Sequence, residues 1–266
     1  MKKRDNLIRE YAVLLSIASI FVLLSSFVLA ASEPQGPTTI TSAGSGRFQN
    51  NSGSVQIPAQ AGNVTALVID HSRSTEAWQG YYGNITGTIT LDDANNQTLY
   101  DWSLPNPTGE IYASNDSIVT WVNVYCMNVS SISINKTYNG IIYSTNGSDI
   151  ELNFGINVTD KDGLNETFNS TYSDTTGFSV GATLINNVDG CSMANPYTNQ
   201  ASSSAWQEVL LSDNTSLIFT ALIRENANGF QAGSTDTFDF QMLVLEDGHV
   251  GSETATTPYY FFVELA

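Results

Sequence analysis

Hydrophobic and polar residues alternate with a period of two along much of this 266-residue chain. The clearest case is residues 83–91, where Ile85, Gly87, Ile89 and Leu91 share one side and threonines occupy the other. This alternation predicts half-buried β-strands. Turn-forming residues follow, and the chain is expected to return in a partner strand at 98–102.

The same pattern predicts many further short strands, separated by turns rich in Asn, Gly and Asp. No segment beyond the N-terminal leader keeps a helical period for three turns. Together these features predict an all-β fold, an antiparallel β-sandwich that is Ig-like or jelly-roll-like, preceded by an N-terminal hydrophobic helix. The further predicted strands are 64–70, 110–114, 118–126, 132–135, 141–144, 150–158, 178–185, 206–211, 217–224, 238–245 and 259–265.

The N-terminus has the pattern of an export leader. Four basic residues precede an uncharged apolar run at residues 11–31. Val28 and Ala30 suit the small-residue positions of a cleavage before Ala31. The run is also long enough to span a bilayer. A cleaved signal peptide and a retained single anchor therefore both remain open, and both place the rest of the chain outside the cell.

The leader is followed by a compositional change that divides the chain into three parts. Residues 1–31 are the signal peptide or membrane anchor. Residues 32–62 are rich in Ser, Gly, Pro and Gln, which predicts an extended polar tail or edge segment. Residues 63–266 carry the strand pattern and form the predicted β-sandwich domain.

Asn-x-Ser/Thr sequons are unusually frequent in this chain. There are twelve, whereas random placement of its residues would give about five. N-linked glycans are added to exposed loops of exported chains, so the sequons support an extracellular or cell-surface location and predict N-glycosylation. The acceptor residues are Asn50, Asn63, Asn84, Asn96, Asn115, Asn128, Asn135, Asn146, Asn157, Asn165, Asn169 and Asn214.

Charge and cysteine content agree with this location. Beyond the leader, five basic residues stand against 24 acids, a net charge of −19. Such a surface repels nucleic acid and anionic lipid headgroups, so we expect no nucleic-acid partner and membrane contact only through residues 11–31, if they are retained. The two cysteines, Cys126 and Cys191, predict one disulfide in an exported chain, with two free thiols as the alternative.

Few residues suggest chemistry. Only two histidines occur, and no catalytic constellation stands out, so we expect a protein that is not an enzyme. Residues 160–166 resemble half of a calcium loop, with Asp160 and Asp162 as candidate ligands, but the terminal bidentate Glu is missing and a plain turn is the favoured interpretation. No other cofactor is expected. Trp78, Tyr81 and Tyr82 either stack on sugar rings or belong to the sandwich core.

Residues 77–87, AWQGYYGNITG, continue into the Leu-Asp-Asp of 91–93 and resemble a motif in uncharacterised archaeal exported surface β-glycoproteins. Residues 208–211, 239–241 and 258–265 are similar to the same group. The resemblance covers most of the exported chain and implies no activity. In layout alone, the chain is also similar to archaeal thread and bundling-pilus subunits, which assemble by donating an N-terminal strand to the next subunit.

These observations predict an exported, N-glycosylated cell-surface protein with a structural or adhesive role. Self-association is the expected partnership, and a filament subunit that assembles by strand donation is one form that this role can take. The polar tail and the strand-forming C-terminus at 259–265 are the segments that suit this mechanism. The alternative is a membrane-anchored module that binds carbohydrate or another cell through Trp78, Tyr81 and Tyr82.

Overall fold

The structure is a computed structural model. Side chains are not described for residues 135–138, 141–144 and 228. The described residues are 33–47, 53–71, 74–129, 135–138, 141–144, 150–152, 154–157, 159–196, 206–213, 215–228, 236–246 and 256–265.

Across the described residues the regular structure is nearly all strand, and all strand pairs are antiparallel, which confirms the predicted all-β class. The strands are β1 Trp78–Gly83, β2 Gly87–Asp92, β3 Thr98–Leu104, β4 Gly109–Ser114, β5 Tyr125–Cys126, β6 Asn135–Tyr138, β7 Ile141–Ser144, β8 Ser170–Thr171, β9 Phe178–Val180, β10 Thr183–Ile185, β11 Ser192–Ala194, β12 Glu208–Ser212, β13 Leu217–Leu222, β14 Ala227–Asn228, β15 Thr237–Phe238, β16 Phe240–Leu245 and β17 Tyr260–Leu265. Within the described ranges, helical structure is limited to a 3₁₀ turn at Trp121–Asn123, a short segment at 150–152 and the four-residue helix α1 Leu164–Thr167.

One large sheet organises the molecule. Its strand order is β17-β4-β13-β12-β11-β8. The short strand β5 also pairs with β12, at residues 211–212, whereas β11 pairs with residues 208–209. The remaining strands form two-stranded ribbons, which are β1–β16, β2–β3, β6–β7, β9–β10 and β14–β15. The C-terminal strand β17 therefore forms one edge of the large sheet.

The centre of the large sheet is buried on both faces. In β13, Phe219 packs into a core shared with the β1–β16 ribbon, whereas Ile218 packs into a second core with Trp121 and Tyr172. Strands covered on both faces carry nearly continuous apolar runs instead of clean alternation. This explains the sequence Leu-Ile-Phe-Thr-Ala-Leu in β13 and the complete burial of its six residues. The sheet with its two covering layers gives a sandwich-like architecture.

Two sequence predictions fail where a buried carboxylate takes a backbone N–H that a strand would use. The predicted strand 83–91 is interrupted between β1 and β2, because the Ile85 N–H donates to the Asp239 carboxylate at 2.8 Å. Of the predicted strand 118–126, only β5 at its end is a strand: Trp121–Asn123 form a 3₁₀ turn, and the Thr120 N–H before it donates to Asp213 at 2.7 Å. Side-chain acceptors of this kind compete with the sheet ladder.

The predicted strand 150–158 is also wrong, since residues 150–152 are helical and turns follow. Glu151 points inward there and accepts the N–H groups of Leu164 (2.6 Å) and Asn165 (3.2 Å) at the start of α1. The predicted strand 64–70 is wrong as well, because these residues form no strand and are exposed. Of the predicted strand 132–135, residues 132–134 lie outside the described residues, as does the N-terminal helix.

Candidate functional site

The outer edge of β17 already contacts the N-terminal tail. The inner side of β17 pairs with β4 along its whole length. On the outer side, the Gln35 N–H donates to the Val263 carbonyl at 3.0 Å, and the Val263 N–H donates to the Gln35 carbonyl at 2.8 Å. Pro34 beside the bridge is buried, whereas Gln35 and Gly36 are exposed. The tail and the C-terminal strand are thus joined by one isolated β-bridge.

The rest of this edge is open among the described residues. Successive residues of a strand direct their backbone N–H and C=O groups to alternate sides. The backbone groups of Phe261 and Leu265 therefore point to the outer edge, as those of Val263 do. No backbone hydrogen bond joins those outward groups to another residue in the described part of the chain. An open strand edge of this length is a template for a further strand. The geometry therefore provides an acceptor site of which the tail fills one position.

A pair of glutamates lies across the same two strands. Glu110 of β4 is directly opposite Glu264 of β17 in the register. The Tyr112 hydroxyl donates to Glu264 Oε2 at 3.3 Å, and the Gly181 N–H donates to the same oxygen at 2.9 Å. Like charges directly opposite each other destabilise an antiparallel pair. The Glu110–Glu264 pair is therefore sensitive to protonation.

Burial is the main cause that raises the pKa of Glu110 to about 8, and the nearby Glu264 charge raises it further. Burial also raises the pKa of Glu264, while the hydrogen bonds from Gly181 and Tyr112 act in the opposite direction. At neutral pH, Glu110 therefore keeps its proton, which removes one of the two opposed charges. Sequence reasoning missed this pair, because only the strand register brings residues 154 positions apart into contact.

Glu208 connects the large sheet to the ribbon above it. Its side chain is fully buried, and its Oε2 accepts the N–H of Leu243 in β16 at 2.9 Å. Burial raises the pKa of Glu208 well above its ordinary value. The Leu243 N–H faces away from β1, so the carboxyl group of Glu208 substitutes for a missing neighbouring strand on that side of the ribbon.

The predicted disulfide between Cys126 and Cys191 is confirmed. Cys126 ends β5, and Cys191 directly precedes β11, with a Cα–Cα distance of 4.9 Å. Cys191 is completely buried in the second core. The bond therefore links two segments, 65 positions apart, that meet at the large sheet.

The three aromatic residues proposed to bind sugars do not share one environment. Trp78 packs edge-on against Phe219 of the core, with ring centroids 6.3 Å apart. Tyr81 packs in the same way against Phe261 of β17, at 5.1 Å. Tyr82 is 51% exposed. Two of the three thus serve the core, and the sugar-binding hypothesis, which stays a prediction, depends mainly on Tyr82.

Asp160 and Asp162 make local contacts in a turn. Asp160 accepts the Asn157 N–H at 3.3 Å, and the Asp162 carboxylate accepts the Thr75 hydroxyl. The Asp162 carbonyl accepts the indole N–H of Trp78. These bonds tie the turn to the segment that leads into β1. Within the described residues, no group of three or more His, Cys, Asp or Glu side chains is arranged to hold a metal ion.

The sequons differ in accessibility. The glycan is attached to the side-chain amide nitrogen, and in Asn128 this nitrogen donates to the Gly190 carbonyl at 3.0 Å. In Asn157, by contrast, only the amide oxygen is engaged, by the N–H and hydroxyl of Thr159. Asn63, Asn84, Asn96, Asn157 and Asn169 are exposed, Asn115, Asn128 and Asn165 are half-buried, and Asn50, Asn146, Asn214 and the side chain of Asn135 lie outside the described residues.

Within the described part of the chain, no helix has both the length and the apolar character needed to cross a membrane. The predicted leader, residues 1–31, lies outside that part. Comparison of the chain with protein families, with curated proteins and with solved structures finds no match. The resemblance to archaeal exported surface proteins therefore stays a prediction.

Proposed function

We propose that this chain is an exported, N-glycosylated cell-surface protein with a structural or adhesive role, whose copies assemble by adding a strand to the β17 edge. The observation that carries the proposal is the Gln35–Val263 bridge, which leaves the neighbouring edge positions open. The disulfide, the exposed sequons and the acidic surface support a location outside the cell. We expect the assembled protein to have no catalytic activity.

The tail is long enough to reach a second copy. Forty-two residues separate Gln35 from the start of β1 at Trp78, and fully extended they span about 140 Å. A domain of this size is roughly 40 Å across. A tail that lies along its own β17 in a single copy can therefore lie along the β17 of a neighbour, and backbone hydrogen bonds would supply the affinity.

The test uses two variants of the exported chain at one position. Gln35→Pro removes the N–H that donates to Val263, whereas Gln35→Ala is the matched control that leaves both backbone bonds intact. We expect the wild type and Gln35→Ala to form ordered filaments in negative-stain microscopy and Gln35→Pro to lose those filaments.

A variant of Val263 tests the β17 side of the contact. Val263→Pro removes an outward N–H and leaves the pairing of β17 with β4 intact, a position where a sheet tolerates proline. We expect it to reproduce the loss of filaments, with an unchanged circular dichroism spectrum. If both proline variants assembled like the wild type, strand addition at this edge would be wrong.

A further inference from the structure

The β2–β3 hairpin presents an uncovered apolar face. Ile89 lies opposite Trp102, and Leu91 lies opposite Tyr100, so the four side chains share one face of the ribbon. Each is between 48% and 58% exposed. Neither strand pairs with any other strand of the described chain. The opposite face carries the polar residues Thr88, Thr90, Asp101 and Ser103.

A ribbon of this kind needs a cover. A two-stranded hairpin is marginally stable by itself, and a third strand or a packed apolar face is required for independent stability. The base of the apolar face is close to the body, since Leu265 packs beside Gly87. The outer part, which consists of the Ile89–Trp102 and Leu91–Tyr100 pairs, is exposed to solvent. Among the described residues, no further strand covers this part of the hairpin.

In the structure no strand precedes β1 among the described residues, so the tail is taken here to extend to residue 76, and it contains a segment with the complementary defect. Residues 64–69, Val-Thr-Ala-Leu-Val-Ile, have the composition of a strand, with no Gly, Pro or charged residue. They form no strand and are exposed throughout, and Val64 and Val68 are fully exposed. Six residues match the length of β2. A strand-forming segment without a partner and a ribbon without a third strand thus occur in the same chain.

Charge favours this segment over a second hairpin as the partner. Residues 87–104 contain three acids and no basic residue, so two hairpins placed face to face would bring six acids together. Residues 32–76 contain three acids and two basic residues, whereas residues 77–266 contain 21 acids and three basic residues. The tail is the nearly neutral part of the exported chain. Electrostatic repulsion from the acidic body is therefore weaker for the tail than for a second hairpin.

The turn of the hairpin argues against a lipid partner. Asp92 and Asp93 lie at the tip, and the exposed sequon of Asn96 is next to them. Insertion into a bilayer would have to bury two carboxylates together with any glycan on Asn96. A protein segment that lies along the ribbon leaves this tip in water.

We propose that the apolar face of the β2–β3 hairpin binds residues 64–69 of a second copy of this chain as an added third strand. This inference rests on the proposed self-association and assigns it a second contact, separate from the β17 edge. The segment pairs its backbone with the open edge of β2, and its alternate side chains lie beside Ile89 and Leu91 on the apolar face. Each copy then donates its tail to one neighbour and accepts the tail of another.

The experiment uses the Gln35→Pro chain as the parent in every arm, so that association at the β17 edge does not contribute. The tail variant adds Leu67→Ser and Val68→Ser. The face variant adds Ile89→Ser and Leu91→Ser. The matched control adds Thr88→Ser and Thr90→Ser, which alter the polar face of the same strand.

Sedimentation velocity gives the expected result. The parent and the Thr88/Thr90 control associate, whereas the tail variant and the face variant are each monomeric. An equal mixture of the two variants contains one intact tail and one intact face, so it forms a one-to-one heterodimer at twice the monomer mass. If Gln35→Pro formed filaments like the wild type, assembly at β17 would be refuted. The mixing experiment would still test the hairpin contact, because it does not depend on the β17 edge.

Each other occupant gives a distinct result that would overturn the proposal. A tail variant that still associates would mean that hairpins bind each other. A monomeric parent whose Trp102 is protected from acrylamide quenching, with protection lost in the tail variant, would mean that the segment folds back onto its own hairpin. Phosphatidylcholine vesicles that bind the parent but not the face variant would identify a lipid partner. A mixture that stays monomeric would also reject the inference.

Discussion

The facing glutamates of β4 and β17 should make the stability of the fold depend on pH. The pKa of Glu110 rises from its ordinary value of 4.5 to about 8 on folding, chiefly through burial and then through the Glu264 charge. A carboxyl group whose pKa is higher in the folded chain holds its proton more tightly there. The stability that it contributes is complete below about pH 4.5 and is lost as the pH rises through about 8.

The magnitude follows from the same two values. The difference between 4.5 and about 8 corresponds to at most about 5 kcal/mol of unfolding free energy. Because Glu264 lies opposite and shares in the titration, part of this belongs to the pair and not to Glu110 alone. Glu110→Gln keeps a neutral side chain that can donate a hydrogen bond, but it cannot ionise. The variant should therefore lack the part of the alkaline loss of stability that ionisation of Glu110 causes.

The assay is urea unfolding of both chains from about pH 4 to about pH 9. Glu110→Gln should match the wild type within about 1 kcal/mol at the acid end and exceed it by several kcal/mol at the alkaline end. The control Glu76→Gln changes an exposed carboxylate that pairs with Arg47 on the surface, and it should leave the wild-type curve almost unchanged. Wild-type and Glu110→Gln curves that stay parallel across this range would refute the reasoning.

Three other predictions concern the disulfide, one glycine and the sequons. Replacing Cys126 and Cys191 together by Ala should lower the unfolding free energy by about 4 kcal/mol, measured by urea unfolding under oxidising conditions, and a change below about 1 kcal/mol would contradict this. Gly109 has a φ of +123°, and an added Cβ would meet the β17 backbone, so Gly109→Ala should lower the thermal midpoint by at least about 3 °C. Mass spectrometry of glycopeptides should find Asn157 occupied and Asn128 bare, and full occupancy of Asn128 would contradict the structure.

Sequence reasoning succeeded where a strand pairs with sequential neighbours or is buried on both faces. The pattern of β12 and β13, with the turn between them, predicted this hairpin to within two residues at each end. β4 and β17 were also located closely, since β-branched and aromatic residues concentrate there. The disulfide followed from the two cysteines together with the expected export of the chain. These features depend on local composition, which a single sequence displays.

The features that could not be predicted depend on contacts between distant residues. The interruption at Ile85 requires the carboxylate of Asp239. The Glu110–Glu264 pair requires a register between strands that are far apart in the chain. The segment 64–69 shows the opposite case, because its composition suits a strand but the described chain offers it no partner. Local propensity predicts which secondary structure a segment favours. Tertiary contacts decide whether the segment forms that structure.

The buried carboxylates have a consequence for how the fold responds to ionic strength. Asp213 and Asp239 accept peptide N–H groups inside the molecule, where dissolved ions do not come between donor and acceptor. Dissolved ions do weaken the mutual repulsion of the acids that remain on the surface. A high salt concentration therefore weakens the repulsion between surface carboxylates, which opposes folding, and leaves these internal hydrogen bonds intact. This architecture is suited to brine as well as to dilute water.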